Sequence, residues 1–370
     1  MKTIIGHVHG INQGFDCIER AFYPFNKNNT IRTRQNCRCI QYIEAIRKLH
    51  SIGFQPTRDV YLSFVPDEEN GGAGMAALLA SSLYKSFTKG IALALDEGLA
   101  SPTNTMSVFY GERLPWWVEV KAEGQTGHGS RFIEHTAVEM LVELCNKALA
   151  FRKGQRAVLH GMDDHEHANC SHAVVAAKRA PKTPRALGDV TSINITTLQA
   201  GVRVGDTYAS NVVPPRAIAT LDIRISPHMP PSEMKEILDS WCQECATEKG
   251  SMSWSFAEGH GNDDTIGHST TDIDKKINPW YGIFAKAMEE MKVDFSPEVF
   301  PAATDSRFLR ALGVRALGFS PMRNSEIMLH ENDEYIDQSV FLEGVGVLTG
   351  IIQSLAMQGP EIDALAKKAE

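Results

Sequence analysis

The chain has 370 residues, a hydrophobic content of 43% and a formal net charge of −8 at pH 7. That length suits one large domain or two ordinary ones, and the negative charge, without a stripe of Lys, Arg and aromatic residues, argues against a nucleic acid partner. No apolar run reaches the roughly 20 residues of a membrane span, and the start "MKTIIGHVHGINQ" lacks the apolar region and cleavage site of a signal peptide. Seven scattered cysteines fit a reducing compartment, so we expect a soluble cytoplasmic protein.

The first hundred residues alternate helical and strand-like segments. Apolar residues at helical spacing predict a helix over 39–52, which Gly53 ends. Short runs rich in branched and apolar residues predict strands at 59–65 and 90–98, with an Ala/Leu-rich helix over 72–87 between them. A strand–helix–strand order is typical of a mainly parallel sheet.

The pattern changes near Glu112. It predicts a β-α-β-β-α-β order, as in a ferredoxin-like sandwich, from segments 115–124, 135–152, 190–198, 216–226, 232–250 and 251–259. After about residue 266 the α/β pattern resumes, with segments 278–292, 305–312, 315–320 and 337–357. The sequence therefore predicts an α/β domain built from both chain ends (1–111 and 266–370), with an α+β domain (112–265) inserted between them.

Residues 154–188 do not fit this division. They lack clean periodicity and include four histidines and a cysteine, namely His160, His165, His167, Cys170 and His172. Such a tract could bind metal, but long segments without regular structure are more often linkers. We favour a loop insertion and keep the metal tract as the alternative.

Carboxylates follow both predicted strands of the first domain. Glu68 and Glu69 come after the first strand, and Asp96 and Glu97 end the second. Open α/β sheets bind ligands at the carboxyl ends of their strands, and a divalent cation would offset the repulsion between adjacent carboxylates. One acid can then bind metal while its neighbour acts as a general base. The alternative is that both pairs are solvated loop charges, but two such pairs favour metal-assisted hydrolysis.

Three other motifs give weaker signals. Residues 72–77 match G-x-G-x-x-A and Asp96 follows at the spacing of a dinucleotide site, but the acids in 66–70 would face the pyrophosphate. The C-x-x-C in 241–245 lies inside a predicted helix, which indicates packing rather than redox chemistry. The "GHGS" at 127–130 is not the G-x-S-x-G of serine hydrolases.

Longer motifs occur in a family-specific order. They are "FVPDEENGG", "LALDEG", "PWWVEV", "GHGSRF", "NVVPP", "LDIRISP", "PAATDSRFLRALGVRALGFSPM" and "LHENDE". Together they resemble the aminoacylases, the N-acyl-amino-acid amidohydrolases of the di-zinc exopeptidase family, from about Arg34 to Leu355. The resemblance implies a zinc-dependent homodimer that hydrolyses small N-acyl-L-amino acids to a carboxylate and a free L-amino acid, with 112–265 as a dimerisation or lid domain.

The resemblance also implies a role for each matching residue. Glu68 matches the general base, and the zinc ligands match Glu69, Glu97 and His330. His128 matches the histidine that stabilises the oxyanion in the partner subunit's active site. Asn211 and Arg224 match lid residues that contact the substrate carboxylate, for which an Arg fork suits bidentate binding.

The N-terminal region departs from the family pattern. The family's His-x-Asp corresponds to His7 and His9, and the zinc-bridging Asp corresponds to Asn36. A neutral amide would leave the repulsion between two dications largely unscreened. The loss of the Asp that supports the ligand histidine, where this chain has His9, typically lowers metal affinity or activity by about 10–100-fold. We therefore expect at most one zinc per chain, with His7 as a ligand, where the family has two.

The family also carries a further strand and helix before this motif. Their absence here predicts an exposed flank of the sheet. Two functional classes follow from these departures. One is an active amidohydrolase, and the other is a catalytically impaired homologue that keeps the fold and the dimer.

Overall fold

The computed structural model describes residues 3–9, 30–32, 34–66, 68, 72–82, 84, 90–161, 186–257, 268–329 and 331–368, with side chains from Cys39 to Ala366. It divides into two compact units. The first comprises Met1–Gly111, Ser269–Phe300 and Thr304–Glu370, and the second comprises Glu112–His268 and Pro301–Ala303.

The elements are named here in chain order. The first unit begins with β1 Thr3–His9, β2 Thr30–Arg32, α1 Arg34–Ser51, β3 Val60–Val65, α2 Ala73–Ala80, β4 Ile91–Asp96 and β5 Met106–Glu112. The second unit contains β6 Leu114–Glu123, β7 Gly127–His128, α3 Ala137–Leu159, β8 Ser192–Ala200, β9 Arg203–Val204, β10 Thr207–Tyr208, β11 Val212–Val213, β12 Arg216–Ile225, α4 Pro231–Cys245 and β13 Ser251–Phe256. The first unit then resumes with α5 Pro279–Glu290, β14 Phe295–Phe300, α6 Ser306–Ala311, β15 Ala316–Phe319, β16 Tyr335–Asp337, α7 Gln338–Ala356 and α8 Glu361–Lys368.

The first unit is organised around a six-stranded sheet in the order β14-β5-β15-β4-β1-β3. β1 is parallel to both β3 and β4, and β15 is parallel to β4 but antiparallel to β5. Every residue of β4 is buried, as expected for a central strand covered on both faces. The predicted mainly parallel α/β sheet is therefore confirmed.

The start of the chain supplies a strand inside this sheet, because β1 lies between β4 and β3. β3 is the end strand, and Phe64 on it is 43% exposed. Within the described ranges no strand pairs with the outer edge of β3. A cavity of about 250 Å³ lies along this strand, lined mainly by apolar side chains of β3 and α2.

The second unit is built on an antiparallel sheet in the order β13-β6-β12-β8. Its main strands and helices follow the predicted β-α-β-β-α-β order. Alternate residues of β6 and β12 are buried, and these pack with α3 and α4 in one hydrophobic core. The other residues of these strands, among them Trp117, Asp222 and Arg224, therefore lie on the opposite face.

Parts of the sequence-based assignment were wrong. α3 continues to Leu159, so residues 154–159 are helical rather than part of a loop insertion. The reason is a buried stripe at helical spacing, formed by Phe151, Gln155 and Val158. The rest of the proposed insertion, from 162 to 185, lies outside the described residues, as do three of its histidines and its cysteine.

Other helices are shorter than predicted, and some strands were missed. α2 ends at Ala80, because Ser81 is extended, and the predicted end at 87 lies outside the described residues. α4 ends at Cys245 rather than at 250. Cys242 and Cys245 are both buried in the core of the second unit, in agreement with a packing role for this pair. The missed strands include β5 and β14, which lack a clean alternation; β14 also contains Pro297.

α7 is long and apolar enough to cross a membrane by length and composition, and it is the one such helix in the described part of the chain. This property was not predicted from the sequence. In the structure, 56% of its most apolar window is buried. Residues such as Leu348 and Ile351 lie in the core of the first unit, so the apolar composition is explained by packing.

Candidate active site

The carboxyl ends of three neighbouring strands, β4, β1 and β3, meet at one edge of the large sheet because the strands are parallel. Glu68 follows β3, and Asp96 and Glu97 lie at the end of β4. His7 of β1 is paired with Ser63 of β3, one residue after the Gly6–Leu95 pair that joins β1 to β4. The backbone of His7 therefore lies at the strand edge that carries the acids.

The two acids that end β4 differ in environment. Asp96 is fully buried, and its carboxylate accepts hydrogen bonds from the Glu97 amide (2.8 Å) and the Ser306 hydroxyl (2.7 Å). Glu97 is only half-buried. Asp96 thus has defined partners within the first unit, and Glu97 is the member of the pair that the family resemblance predicts to bind metal.

The loop after β4 is held against the backbone of residues 318–320. The Gly98 amide donates to the Ser320 hydroxyl, which donates to the Gly98 carbonyl, each over 2.9 Å. A Cβ at Gly318 would lie 2.5 Å from the Glu97 carbonyl oxygen, so a glycine is required there. The backbone of Glu97 is thereby held in place.

The predicted metal ligands are only partly within the described residues. Glu69 and His330 lie outside them, and of His7, His9 and Asn36 only the backbone is described. Among the described side chains, no group of three or more His, Cys, Asp or Glu residues could hold a metal ion. The predicted donor set of carboxylates and imidazoles nevertheless fits zinc in its chemistry, and the parallel strand ends provide an edge for it.

In the second unit, His128 and Asn211 lie side by side, because β7 pairs with β11. The Ser130 amide donates to His128 Nδ1 over 3.2 Å, and Asn211 Nδ2 lies 3.3 Å from His128 Nε2. Since a backbone amide can only donate, Nδ1 accepts, and the neutral imidazole carries its proton on Nε2. An exposed N–H of this kind is the donor that a developing oxyanion requires.

Arg224 is engaged by an acid that the sequence analysis did not single out. Its Nε lies 2.6 Å from Asp222 Oδ1, and its Nη2 lies 2.9 Å from Asp222 Oδ2. The guanidinium carbon lies 5.0 Å from the centre of the Trp117 ring, and Trp117 Nε1 donates to Asp222 Oδ2 over 3.2 Å. The signal was present in the "LDIR" motif, because residues two apart on a strand share a face.

A second arginine is near this group. Arg113 is 6% exposed, and it donates to the Pro301 carbonyl (2.7 Å) and the Ser192 hydroxyl (2.9 Å). The pKa of Arg113 is lowered to about 10, mainly by burial and in addition by the charge of Arg224, while the charge of Asp222 opposes the change. The cluster thus contains two cations and one carboxylate.

Residues 36–354 match the peptidase family M20/M25/M40. The chain belongs to this family. Among the M20 relatives, aminoacylase-1 from Dictyostelium discoideum is 41% identical over 86% of this chain and 72% of its own length. Aminoacylase-1A from Rattus norvegicus is 39% identical over 86% of this chain and 69% of its own length, and aminoacylase-1 from Homo sapiens is 37% identical over 88% and 71%.

Solved structures of M20-type enzymes share the fold. Aminopeptidase PepT from Bacillus cereus aligns with 96% of this chain and 81% of its own, with a TM-score of 0.63 at 14% identity. A dinuclear metal-binding M20 peptidase from Bacillus subtilis covers 96% and 82%, with a TM-score of 0.58 at 10% identity. The predicted family and α/β fold class are therefore confirmed, and the dinucleotide-binding alternative is not supported.

Proposed function

We propose that this chain is a metal-dependent amidohydrolase that cleaves N-acyl-L-amino acids into a carboxylate and a free L-amino acid. The observation that carries the proposal is the set of aminoacylase relatives that are 37–41% identical over 86–88% of the chain. Asn36 raises the alternative of a catalytically impaired homologue, but none of the comparisons favours it over an active enzyme.

Glu69, Glu97, His330 and His7 would hold the metal, which we propose to be zinc. When bound, zinc would supply Lewis-acid chemistry at the carbonyl of the scissile amide. The donor types and the shared edge of β1, β3 and β4 support this assignment. Because Asn36 replaces a bridging carboxylate, we expect at most one zinc per chain.

Other residues of the chain have roles in proton transfer, oxyanion stabilisation and substrate binding. Glu68 takes a proton from the attacking water and later delivers one to the leaving amine. The Nε2–H of His128 donates to the oxyanion that forms on the acyl carbonyl. Asn211 and Arg224 contact the carboxylate of the amino acid, where a guanidinium fork can donate two hydrogen bonds.

We also propose that the protein is a homodimer in the cytoplasm. β8 ends the sheet of the second unit, and its last five residues are exposed, including Leu198 at 63%. An exposed edge strand can pair with a second copy. The described cysteines, Cys39, Cys145, Cys242 and Cys245, are free thiols, which fits a reducing compartment.

The adjacent residues Glu68 and Glu69 allow a matched test of the proposed function. Each would be changed to Gln, with zinc per chain measured by mass spectrometry and N-acetylmethionine hydrolysis measured by methionine release. Glu68→Gln should lower hydrolysis by about 100-fold or more and keep the zinc, because it removes a general base. Glu69→Gln should lower both, because it removes a ligand.

Two results would contradict this proposal. A zinc-loaded, folded protein that releases no methionine from N-acetylmethionine would exclude the activity. Unchanged zinc in Glu69→Gln would exclude that residue as a ligand while leaving the activity open.

A further inference from the structure

Asp222 and Trp117 face each other across two strands. They form a register pair between β12 and β6, and Arg224 lies two residues along β12 on the same face. Two hydrogen bonds join the Arg224 guanidinium to the Asp222 carboxylate, and the indole N–H of Trp117 donates to the same carboxylate. The carboxylate is thus held by the ring over which the guanidinium lies.

These contacts use only one edge of the guanidinium. An arginine has five N–H donors. Asp222 accepts one hydrogen bond from Nε of Arg224 and one from its Nη2. Nη1 and the other Nη2 proton have no hydrogen-bond partner within the described ranges. The side chain is 25% exposed, so this second edge forms a fork of the kind that binds a carboxylate in a bidentate manner.

Charge balance explains why Arg224 needs this acid. Arg113 is buried close by and carries a like charge, and like charges repel more strongly where water is excluded. Asp222 is the carboxylate that offsets the effect of Arg224 on Arg113. With Asp222 present, the repulsion from Arg113 is partly offset, and Arg224 keeps a second edge that can bind a substrate carboxylate.

We propose that Asp222, braced by Trp117, is a positioning residue that fixes Arg224 so that its second edge receives the α-carboxylate of the N-acyl amino acid. The inference rests on the proposed function, and it assigns selectivity for free acids over amides to this trio. Asp222 acts through Arg224 and does not contact the reacting atoms.

The test is Asp222→Asn, assayed with N-acetylmethionine and with N-acetylmethionine amide, which lacks the carboxylate. For the acid, we expect KM to rise about tenfold with kcat changed less than twofold, because binding loses an oriented fork. For the amide, neither constant should change. Trp117→Phe keeps an aromatic ring but removes the indole N–H, and it should also raise KM for the acid, by a smaller factor.

Glu123→Gln is the matched control. Glu123 and Arg216 form another acid–arginine pair of the same sheet, here between β6 and β12, with Arg216 Nε 3.1 Å and Nη2 2.6 Å from Glu123 Oε1. Both side chains are more than half exposed. This substitution should leave KM unchanged for both compounds.

The outcomes separate the inference from the proposed function. A fall in KM for the acid in Asp222→Asn, or equal changes for acid and amide, would overturn the positioning role while the activity stands. If the unmodified protein does not hydrolyse N-acetylmethionine, the dissociation constants of the same two compounds, measured by calorimetry, test the positioning role instead. Tenfold weaker binding of the acid to Asp222→Asn would then support the inference without the activity, and absence of any binding to the unmodified protein would overturn both.

Discussion

Asn36 lies in the first turn of α1, at the position that the resemblance assigns to a zinc-bridging aspartate. An amide has one good donor oxygen and no charge, so two dications beside it would repel each other with little screening. We predict that Asn36→Asp raises both the zinc content per chain and the rate of N-acetylmethionine hydrolysis. Mass spectrometry of the metal and an assay of methionine release measure the two quantities.

The control for this change is Asn146→Asp, which makes the same exchange at an exposed position of α3. It should alter neither zinc nor rate. Two zincs and full activity in the unmodified chain would show that the bridging position is assigned wrongly.

At the scale of elements, α3 shows that burial rather than residue type sets how much a leucine contributes to stability. Leu144 is fully buried in the core of the second unit, whereas Leu149 on the same helix is 45% exposed. We predict that Leu144→Ala lowers the free energy of unfolding by about 2–5 kcal/mol, because it removes buried contacts and leaves a cavity. Leu149→Ala should cost less than about 0.5 kcal/mol.

Urea unfolding, monitored by circular dichroism, measures the free energy of unfolding of both variants. The chain has two compact units, so the transition that belongs to the second unit is the one to compare. Equal destabilisation by the two substitutions would contradict the burial of Leu144.

At the scale of the whole molecule, the exposed end of β8 predicts how the protein assembles. We expect a dimer in sedimentation velocity at micromolar concentration. Leu198→Lys should shift it toward monomer, because a lysine on an edge strand opposes pairing with a second copy. Leu312→Lys, at a 58% exposed position of the first unit, is the control and should leave the dimer intact. A monomer in the unmodified protein would contradict the homodimer.

The sequence by itself determined the family, the α/β class and most helices and strands. Local features carry that information, because apolar spacing and turn residues act over a few positions. The motifs alone also single out Glu68, Glu97, His128 and Arg224 as candidate site residues. The limits of α2 and α4 were less well predicted, since helix ends depend on what each last turn packs against.

The tertiary structure alone decided which segments are neighbours. It put β1 between β3 and β4, which brings the backbone of His7 to the edge where Glu97 lies. It also aligned Trp117 with Asp222, so that both engage Arg224. Such pairings join residues that are distant along the chain, about 105 positions apart for Trp117 and Asp222. No local pattern specifies them, because the sheet order follows from packing of the whole unit.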